Sequence, residues 1–226
     1  HSTHLNLAEY GSLLDRERVQ QVVQALEKNT VVEALTLSEN LCLHSTLQLS
    51  HFLKMSPSLQ RLEMRGKGKV DKEKASTKAS IVFESISRSS MLVNLTIYDV
   101  VLGDDCPCFE GFLSSTRTLQ VLQIMYLYSY STMTHKVAQA IGSGLAKNKS
   151  LLELNWSNTY DGADFLEEIL FGLGDHVTLK TLRLEIELTK SSSQALRSLL
   201  HFNGRMESLS LWQFEDQEEI PTMVSL

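Results

Sequence analysis

The side chains that most often do catalytic chemistry are scattered along this chain and form no known motif. The seven histidines lie at positions 1, 4, 44, 51, 135, 176 and 201, and none belongs to an H-E-x-x-H metal site or pairs with a cysteine in a recognisable context. A G-x-S-x-G nucleophile motif is also missing. We therefore predict that the protein is not an enzyme and that it has no catalytic residue, metal site or cofactor.

The three cysteines do not suggest a reactive or metal-binding site. Cys106 and Cys108 lie one residue apart without the paired ligand sets of a zinc site, and acidic neighbours would raise the pKa of either thiol. With Cys42 they make an odd number, which predicts no disulfide framework and favours a reducing, cytoplasmic location. An extracellular location is the alternative, because three N-x-S/T sequons are present: Asn94, Asn148 and Asn155.

The composition restricts the classes of partner. Hydrophobic residues make up 42% of the chain, charged residues 21%, and the net charge is −6. A modest negative charge argues against a nucleic-acid partner. The sequence also has no run of eighteen apolar residues, which a membrane-spanning helix would need. We expect a globular protein of the soluble class with neither kind of partner.

A set of polar and aromatic residues alternates with apolar residues in short segments and is a candidate binding surface. Arginine, tyrosine and tryptophan are enriched among the residues that dominate binding energy at protein interfaces. The candidate partner-binding residues are Arg61, Glu63, Arg65, Tyr98, Gln123, Met125, Tyr126, Tyr128, Asn155, Arg183, Glu185 and Trp212. The simpler interpretation is that exposed aromatic residues are ordinary surface, and that Trp212 covers the end of the structure together with Phe214.

The elements that would position these residues follow from a recurring apolar phrase of the form L-x-x-L-x-L. Seven copies are present, and a partial copy lies at Leu5 and Leu7. The middle apolar residues of the full copies are Leu35, Leu62, Leu95, Leu122, Leu154, Leu182 and Leu209. Steps of 27, 33, 27, 32, 28 and 27 residues separate them, which is typical of leucine-rich repeats. The last two apolar residues of each phrase share one face of a short strand.

A segment with apolar residues at helical spacing precedes each full copy of the phrase. The sequence thus predicts an α/β leucine-rich-repeat solenoid, a horseshoe with about eight parallel strands on its concave face and helices on its convex face. Lys28-Asn29 and Lys147-Asn148 are typical of helix C-termini, where asparagine tolerates a left-handed conformation. The candidate binding residues fall on the strands and would point away from the core.

Two segments carry a family resemblance. ALEKNTVVEALTLSEN (Ala25 to Asn40) and GLAKNKSLLELNWSNT (Gly144 to Thr159) resemble the ribonuclease-inhibitor type of leucine-rich repeat. This type is similar to the repeat regions of nucleotide-binding immune receptors and of Ran GTPase-activating proteins. The asparagine that normally closes the strand turn is kept only at Asn40, so we expect an irregular inner turn. The other turns have Lys67, Val100, Leu127, Thr159 and Phe214 at that position.

The repeats extend over the whole sequence, so we expect one leucine-rich-repeat domain over residues 1–226. An acidic connection from Glu215 to Leu226 should follow the last strand. A solenoid with bare ends exposes apolar faces. We therefore expect this domain to be part of a longer solenoid or multidomain chain, in which further repeats or domains cover its ends.

The two longest repeats should place their additional residues in loops. The first, from Arg65 to Lys78, contains six cations and two anions, and would either dock an acidic partner or remain solvated. The second, from Tyr126 to His135, contains three tyrosines that would contribute to binding or pack locally.

The sequence predicts a non-catalytic module that binds a protein partner through the concave sheet and adjacent loops, as a sensing or substrate-receptor region. Eight strands at roughly 4.8 Å spacing give an inner arc of about 34 Å, which suits a folded protein better than a small metabolite. The alternatives are a regulator of a small GTPase, implied by the resemblance to Ran GTPase-activating proteins, and a purely structural segment of a solenoid.

Overall fold

Strands and helices alternate along the chain in the order that the repeats predict. The computed structural model describes residues 3–8, 16–38, 46–66, 80–100, 107–126, 134–158, 163–174, 176, 178–185, 189–212 and 222–225. The strands are β1 (His4–Asn6), β2 (Ala34–Ser38), β3 (Arg61–Arg65), β4 (Asn94–Tyr98), β5 (Val121–Tyr126), β6 (Glu153–Asn158), β7 (Thr181–Glu185), β8 (Ser208–Trp212) and β9 (Thr222–Ser225). The helices are α1 (Arg16–Glu27), α2 (Thr46–Met55), α3 (80–86), α4 (Pro107–Ser115), α5 (His135–Lys147), α6 (Ala163–Leu173) and α7 (Lys190–Phe202).

All of these strands belong to one sheet, whose strand order follows the sequence from β1 to β9. Strands β1 to β8 are parallel, and a helix precedes each strand from β2 to β8. This arrangement confirms the predicted α/β leucine-rich-repeat solenoid.

Neighbouring strands pair so that equivalent repeat positions lie side by side. Leu35 pairs with Leu62, Leu62 with Leu95, and the same column continues to Leu209. The residues of this column are buried, as is the column two residues later, which contains Trp156, except for the half-buried Leu211 at its end. The helices cover this side of the sheet with their own apolar residues. Neighbouring helices also contact each other, as in the aromatic cluster where the ring centroids of Phe83 in α3 and Phe109 in α4 are 4.6 Å apart.

The unequal widths of strands and helices set the direction in which the stack bends. Paired strands lie about 4.8 Å apart, whereas packed helices need about 8–10 Å between their axes. Helices α4, α5, α6 and α7 each pack against the next. A stack with the wider elements on one side must curve toward the narrower ones, so the sheet lines the concave face.

A polar residue at the end of six of the seven described helices shapes the turn into the next strand. Asn148 Oδ1 accepts hydrogen bonds from the backbone N–H groups of Ser150 (2.9 Å) and Leu151 (2.8 Å). The Asn148 side chain also donates from Nδ2 to the carbonyl of Leu113 in the preceding repeat, at 2.6 Å. Side chains that accept backbone N–H groups in this way occur at Asn29, Ser56, Ser89, Asn148, His176 and Asn203.

The conformation expected for the helix-end asparagine is wrong in the case of Asn148. Its φ of −69° and ψ of 139° are extended, not left-handed. The asparagine is suited to this place because its side chain can accept and donate hydrogen bonds at once, linking the turn to the preceding repeat. Among the non-glycine residues that the structure describes, a left-handed φ occurs at Asp99, at 51°, just after β4.

His176 occupies the equivalent position in the following repeat and differs from the asparagines in its chemistry. Its Nδ1 atom accepts a hydrogen bond from the backbone N–H of Leu179 at 3.2 Å, while Nε2 is buried without a partner. The side chain is 1% exposed. Desolvation, and secondarily the charge of Lys149, lowers the pKa of His176 to about 4.

The described C-terminal end of the sheet differs from the sequence prediction. The segment expected to be only an acidic connection contains β9, which pairs antiparallel with β8. Ser208 pairs with Ser225, and Leu211 with Thr222. The backbone of β9 therefore covers the edge of β8, where the parallel series ends.

Helices α5 and α6 approach each other so closely that only glycine fits at their contact. A Cβ atom on Gly172 would lie 2.1 Å from the carbonyl oxygen of Gly142. Backbone atoms on both sides of this contact prevent a local adjustment, so a larger residue must separate the helices.

We expect Gly172→Ala to lower the free energy of unfolding by roughly 1–3 kcal/mol, because the added methyl group overpacks this contact. Gly111→Ala is a matched control in α4, where a Cβ atom would meet nothing within 4 Å. The control should be neutral or stabilising by up to about 1 kcal/mol, since alanine favours helix more than glycine does. Urea unfolding of both variants checks the contrast, and equal effects would contradict the close helix contact.

The second prediction concerns the pH dependence of stability at His176. In the unfolded chain this histidine takes up a proton near pH 6.5, whereas in the folded protein it does so near pH 4. The unfolded state therefore binds more protons between these values, and stability falls as the pH drops through this window. The loss should approach about 3 kcal/mol by pH 4.

His176→Asn should remove this part of the pH dependence while keeping the turn, because asparagine already serves at Asn148 and Asn203. Urea unfolding at several pH values between 4 and 7 measures the effect. A variant that loses stability with pH as steeply as the parent would show that His176 is not the responsible group.

Candidate functional site

The uncovered face of the sheet carries its side chains in three rows that cross the strands. The row at the C-terminal ends of the strands contains Ser38, Arg65, Tyr98, Met125, Ser157, Glu185 and Trp212. The middle row contains Asn6, Thr36, Glu63, Thr96, Gln123, Asn155, Arg183 and Ser210. The third row contains His4, Ala34, Arg61, Asn94, Val121, Glu153, Thr181 and Ser208.

The half of this face formed by β1 to β4 is polar. Arg65 Nε donates to Glu63 Oε1, and the Arg65 guanidinium lies 5.8 Å from the centroid of the Tyr98 ring. A depression of about 220 Å³ lies beside them, and Arg61, which is exposed, forms part of its lining. The predicted residues of this half are thus brought together, with Arg65 held between a carboxylate and an aromatic ring.

The start of the sheet is less accessible than the alternating pattern predicted. Every residue of β2 is buried, including Ala34, Thr36 and Ser38, whose positions belong to the uncovered face. His4 contributes to the cover, since its Nε2 atom lies 3.0 Å from Thr36 Oγ1. The face is therefore closed at β2, although His4 and Asn6 of β1 are exposed, and its continuous accessible part begins at β3.

The half formed by β5 to β8 contains a concave site, here called the sheet pocket, with a volume of about 330 Å³. Its lining consists of Gln123, Met125, Asn155, Trp156, Ser157, Arg183, Glu185 and Trp212. Ser157 lies between Met125 and Glu185 in the row at the C-terminal ends of the strands. A small side chain between larger ones leaves a hollow, so the sequence of side-chain sizes along this row explains the pocket.

Polar atoms in the sheet pocket are buried without hydrogen-bond partners. Ser157 is 4% exposed and its Oγ atom has no partner, and Asn155 Oδ1 is likewise buried and unpaired. Asn155 Nδ2 is satisfied, because it donates to Glu153 Oε1 at 3.1 Å. Buried polar atoms without partners cost free energy, so each of these atoms favours a hydrogen bond from a bound group.

The two charged residues that line the sheet pocket, Arg183 and Glu185, differ in whether they have a partner. Arg183 Nη1 lies 3.2 Å from Glu153 Oε1, which offsets its charge. The Glu185 carboxylate has no hydrogen bond or ion pair among the residues that the structure describes. The sheet pocket thus contains one uncompensated negative charge next to its unpaired acceptor atoms.

The apolar walls of the sheet pocket come from Met125 and Trp212. Trp212 is 39% exposed, which is high for a tryptophan side chain. It lines the pocket, while Phe214, with which it was alternatively predicted to cover the end of the solenoid, lies outside the described residues.

Some of the residues and segments predicted to contribute to binding lie outside the residues that the structure describes. Tyr128, the tyrosine-rich segment after β5 and the basic segment after Gly66 lie outside the described residues, as does the Tyr126 side chain. Tyr126 itself ends β5 and pairs with Asn158 through the backbone. Of the turn positions predicted to be irregular, Val100 is described, and it is buried in the core.

The three sequons differ in accessibility. Asn148 is fully buried and both ends of its side-chain amide make hydrogen bonds, so a glycan there would be incompatible with this turn. Asn94 and Asn155 lie on the predicted strands, half-buried on the sheet face.

An aromatic surface that the sequence analysis did not single out lies on the outer side of the solenoid. Phe171 and Phe202 are 65% and 74% exposed, and they line a cleft of about 710 Å³ between the ends of α6 and α7. Helical spacing alone would not identify them, because both residues lie in helices whose other described apolar residues are buried or half-buried.

The described helices include none that is long and apolar enough to cross a membrane. In the described ranges, no three histidine, cysteine, aspartate or glutamate side chains lie together so that they could hold a metal ion.

No protein-family model and no curated protein sequence matches this chain. Among solved structures it is similar to the tropomodulin C-terminal domain from Caenorhabditis elegans, with a TM-score of 0.44 and 11% sequence identity. The match covers 81% of this chain and 93% of the other. The assignment of the leucine-rich-repeat fold rests on the strand order, register and repeat spacing of this chain itself.

The different exposure of the two tryptophans gives a test of the sheet pocket. Trp212→Phe leaves Trp156, which is 1% exposed, as the only tryptophan. We expect the remaining fluorescence to be shifted to shorter wavelength and to resist quenching by acrylamide. The parent should retain a quenchable component from Trp212. If the variant is quenched as readily as the parent, Trp212 does not face solvent at the pocket.

Proposed function

We propose that this chain is a non-catalytic protein-recognition module that binds a folded partner through its concave sheet face. The observation that carries the proposal is the sheet pocket, where Met125 and Trp212 provide apolar walls around buried, unpaired polar atoms of Asn155 and Ser157. Residues of this kind at the centre of a concave surface match the composition of energetically important interface residues.

The dimensions of the site support a protein as the partner. A volume of about 330 Å³ lies at the low end of small-molecule pockets, which span roughly 300–1,000 Å³. The sheet pocket also continues into the open face that carries Arg61, Arg65 and Tyr98. A partner with a broad convex surface could place one side chain in the pocket and contact these residues with its periphery.

The predicted site residues divide into two parts in this proposal. Met125, Gln123, Asn155, Arg183, Glu185 and Trp212 line the anchoring pocket. Arg61, Glu63, Arg65 and Tyr98 form a charged flank that would steer and orient the partner. Tyr126 and Tyr128 would extend the contact at the C-terminal ends of the strands.

The proposal also covers the type of leucine-rich repeat and the cellular location of the protein. Repeat units that pair a full helix with a strand support membership of the ribonuclease-inhibitor type of leucine-rich repeat. The free thiol of Cys108 is compatible with a reducing, cytoplasmic location. We also propose that the domain belongs to a longer chain, with further repeats or domains beside it.

The proposal predicts that a double variant, Met125→Ala with Trp212→Ala, loses its partner. Affinity capture from native extract, with identification by mass spectrometry, would provide the partner, and binding of the purified pair would then be measured. We expect an affinity loss of about thirtyfold or more, because each truncation removes about 1–2 kcal/mol or more at a central interface position.

The matched control is Phe171→Ala with Phe202→Ala, which removes two exposed aromatic side chains from the outer cleft. This control should bind as the parent does. If it loses the partner while the sheet-pocket variant retains it, the binding surface is the outer cleft and the proposal is wrong. Thermal unfolding of both variants checks that the fold is intact.

A further inference from the structure

We infer that the sheet pocket receives a lysine or arginine side chain of the partner protein. The inference rests on the proposed function, because it assigns the chemistry of the group that occupies the same site. It is carried by the Glu185 carboxylate, which has no counter-ion among the described residues, and by the unpaired acceptor Asn155 Oδ1 in the same pocket.

The acceptors are the Glu185 carboxylate, Asn155 Oδ1 and Ser157 Oγ. The two oxygen atoms of Asn155 and Ser157 are buried and unpaired, and Glu185 has no partner in the described part of the chain. A carboxylate and an amide oxygen can only accept hydrogen bonds, so a bound group must supply donors. Lysine ammonium groups supply three donors and arginine guanidinium groups supply five.

The one cationic side chain that lines the pocket, Arg183, is already paired. Arg183 is paired with Glu153 at 3.2 Å, and the same Glu153 oxygen accepts from Asn155 Nδ2 at 3.1 Å. These contacts offset the charge of Arg183 and engage the amide nitrogen of Asn155 within the protein. Among the charged side chains that line the pocket, Glu185 is left as the one without a counter-ion in the described residues.

The apolar walls fit the stem of a basic side chain. Lysine and arginine bury their methylene groups against apolar surfaces while the charged end meets polar groups. Trp212 follows Glu185 in the same row, so an aromatic face and a carboxylate lie on adjacent strands. A cation near the carboxylate can also interact with the indole ring, and tryptophan provides the strongest cation–π contact.

Other side chains satisfy the pocket less well. An aliphatic side chain would contact Met125 and Trp212 but leave Asn155 Oδ1 and Ser157 Oγ buried without partners, which keeps their desolvation cost. An acidic side chain would be repelled by Glu185. A basic side chain can pack its methylene groups against the apolar walls and also donate hydrogen bonds to the acceptors.

The test uses a random dodecapeptide library displayed on phage and selected against the immobilised chain. Bound phage are counter-selected on the Met125→Ala, Trp212→Ala double variant, so that the retained peptides depend on the sheet pocket. Synthetic copies then have each arginine replaced by citrulline and each lysine by norleucine. Citrulline keeps the shape of arginine but removes its charge.

We expect the retained peptides to share a basic residue whose replacement weakens binding by about tenfold or more, as for loss of a charged hydrogen bond. Glu185→Gln should weaken the same peptides by about tenfold. Glu207→Gln is the matched control, because Glu207 pairs with Lys180 at 2.6 Å outside the pocket. This control should leave the affinity unchanged.

The outcomes separate the inference from the proposed function. Pocket-dependent peptides that lack a basic residue, or that bind Glu185→Gln as tightly as the parent, would overturn the inference while supporting recognition through the sheet. A library that yields no pocket-dependent peptide, together with an unchanged affinity of the natural partner for the double variant, would contradict both.

Discussion

The structure depends on the in-register pairing of each strand with its neighbour. Each strand residue pairs with the residue at the same position of the next repeat. The residues at one repeat position therefore form a column across the sheet. The steps of 33 and 32 residues do not disturb this register, since Leu62 still pairs with Leu95 and Leu122 with Leu154. Parallel pairing at a fixed spacing, with helices that need more room on the other side, then accounts for the buried columns, the curvature and the rows of side chains on the concave face.

In the turns from helix to strand, polar groups also occupy equivalent positions in successive repeats. A side chain that accepts a backbone N–H group there removes a buried unpaired donor, and at Asn148 the same amide also binds a carbonyl of the preceding repeat. His176 makes the first contact, but its second nitrogen remains unpaired. This turn position has the same geometry in both repeats, but the side chain that occupies it differs. Because histidine can take up a proton, the repeat with His176 contributes a pH-dependent part of the stability.

The sheet pocket has the properties of a preorganised site because its residues extend from paired strands. Ser157 and Asn155 cannot relieve their unpaired atoms by a backbone shift without breaking the ladder on both sides of β6. A rigid surface loses little conformational entropy on binding, which allows a modest number of contacts to give useful affinity. In the proposed function, the unpaired acceptors near Glu185 would act as recognition groups, and leaving them unpaired costs some stability in the free protein.

The sequence by itself determined the strands, the helices before them, their order and the face on which each strand residue lies, because these depend on periods of 2 and 3.6 residues within one repeat. It also located most of the sheet-pocket residues, through the alternation that points Met125, Arg183 and Glu185 away from the core. Only the tertiary structure decided that β2 is covered, that β9 pairs with β8, that Asn148 joins two repeats and that a hollow forms at Ser157. These features depend on the sizes and partners of residues about 11 to 35 positions apart, which become neighbours only when the chain folds.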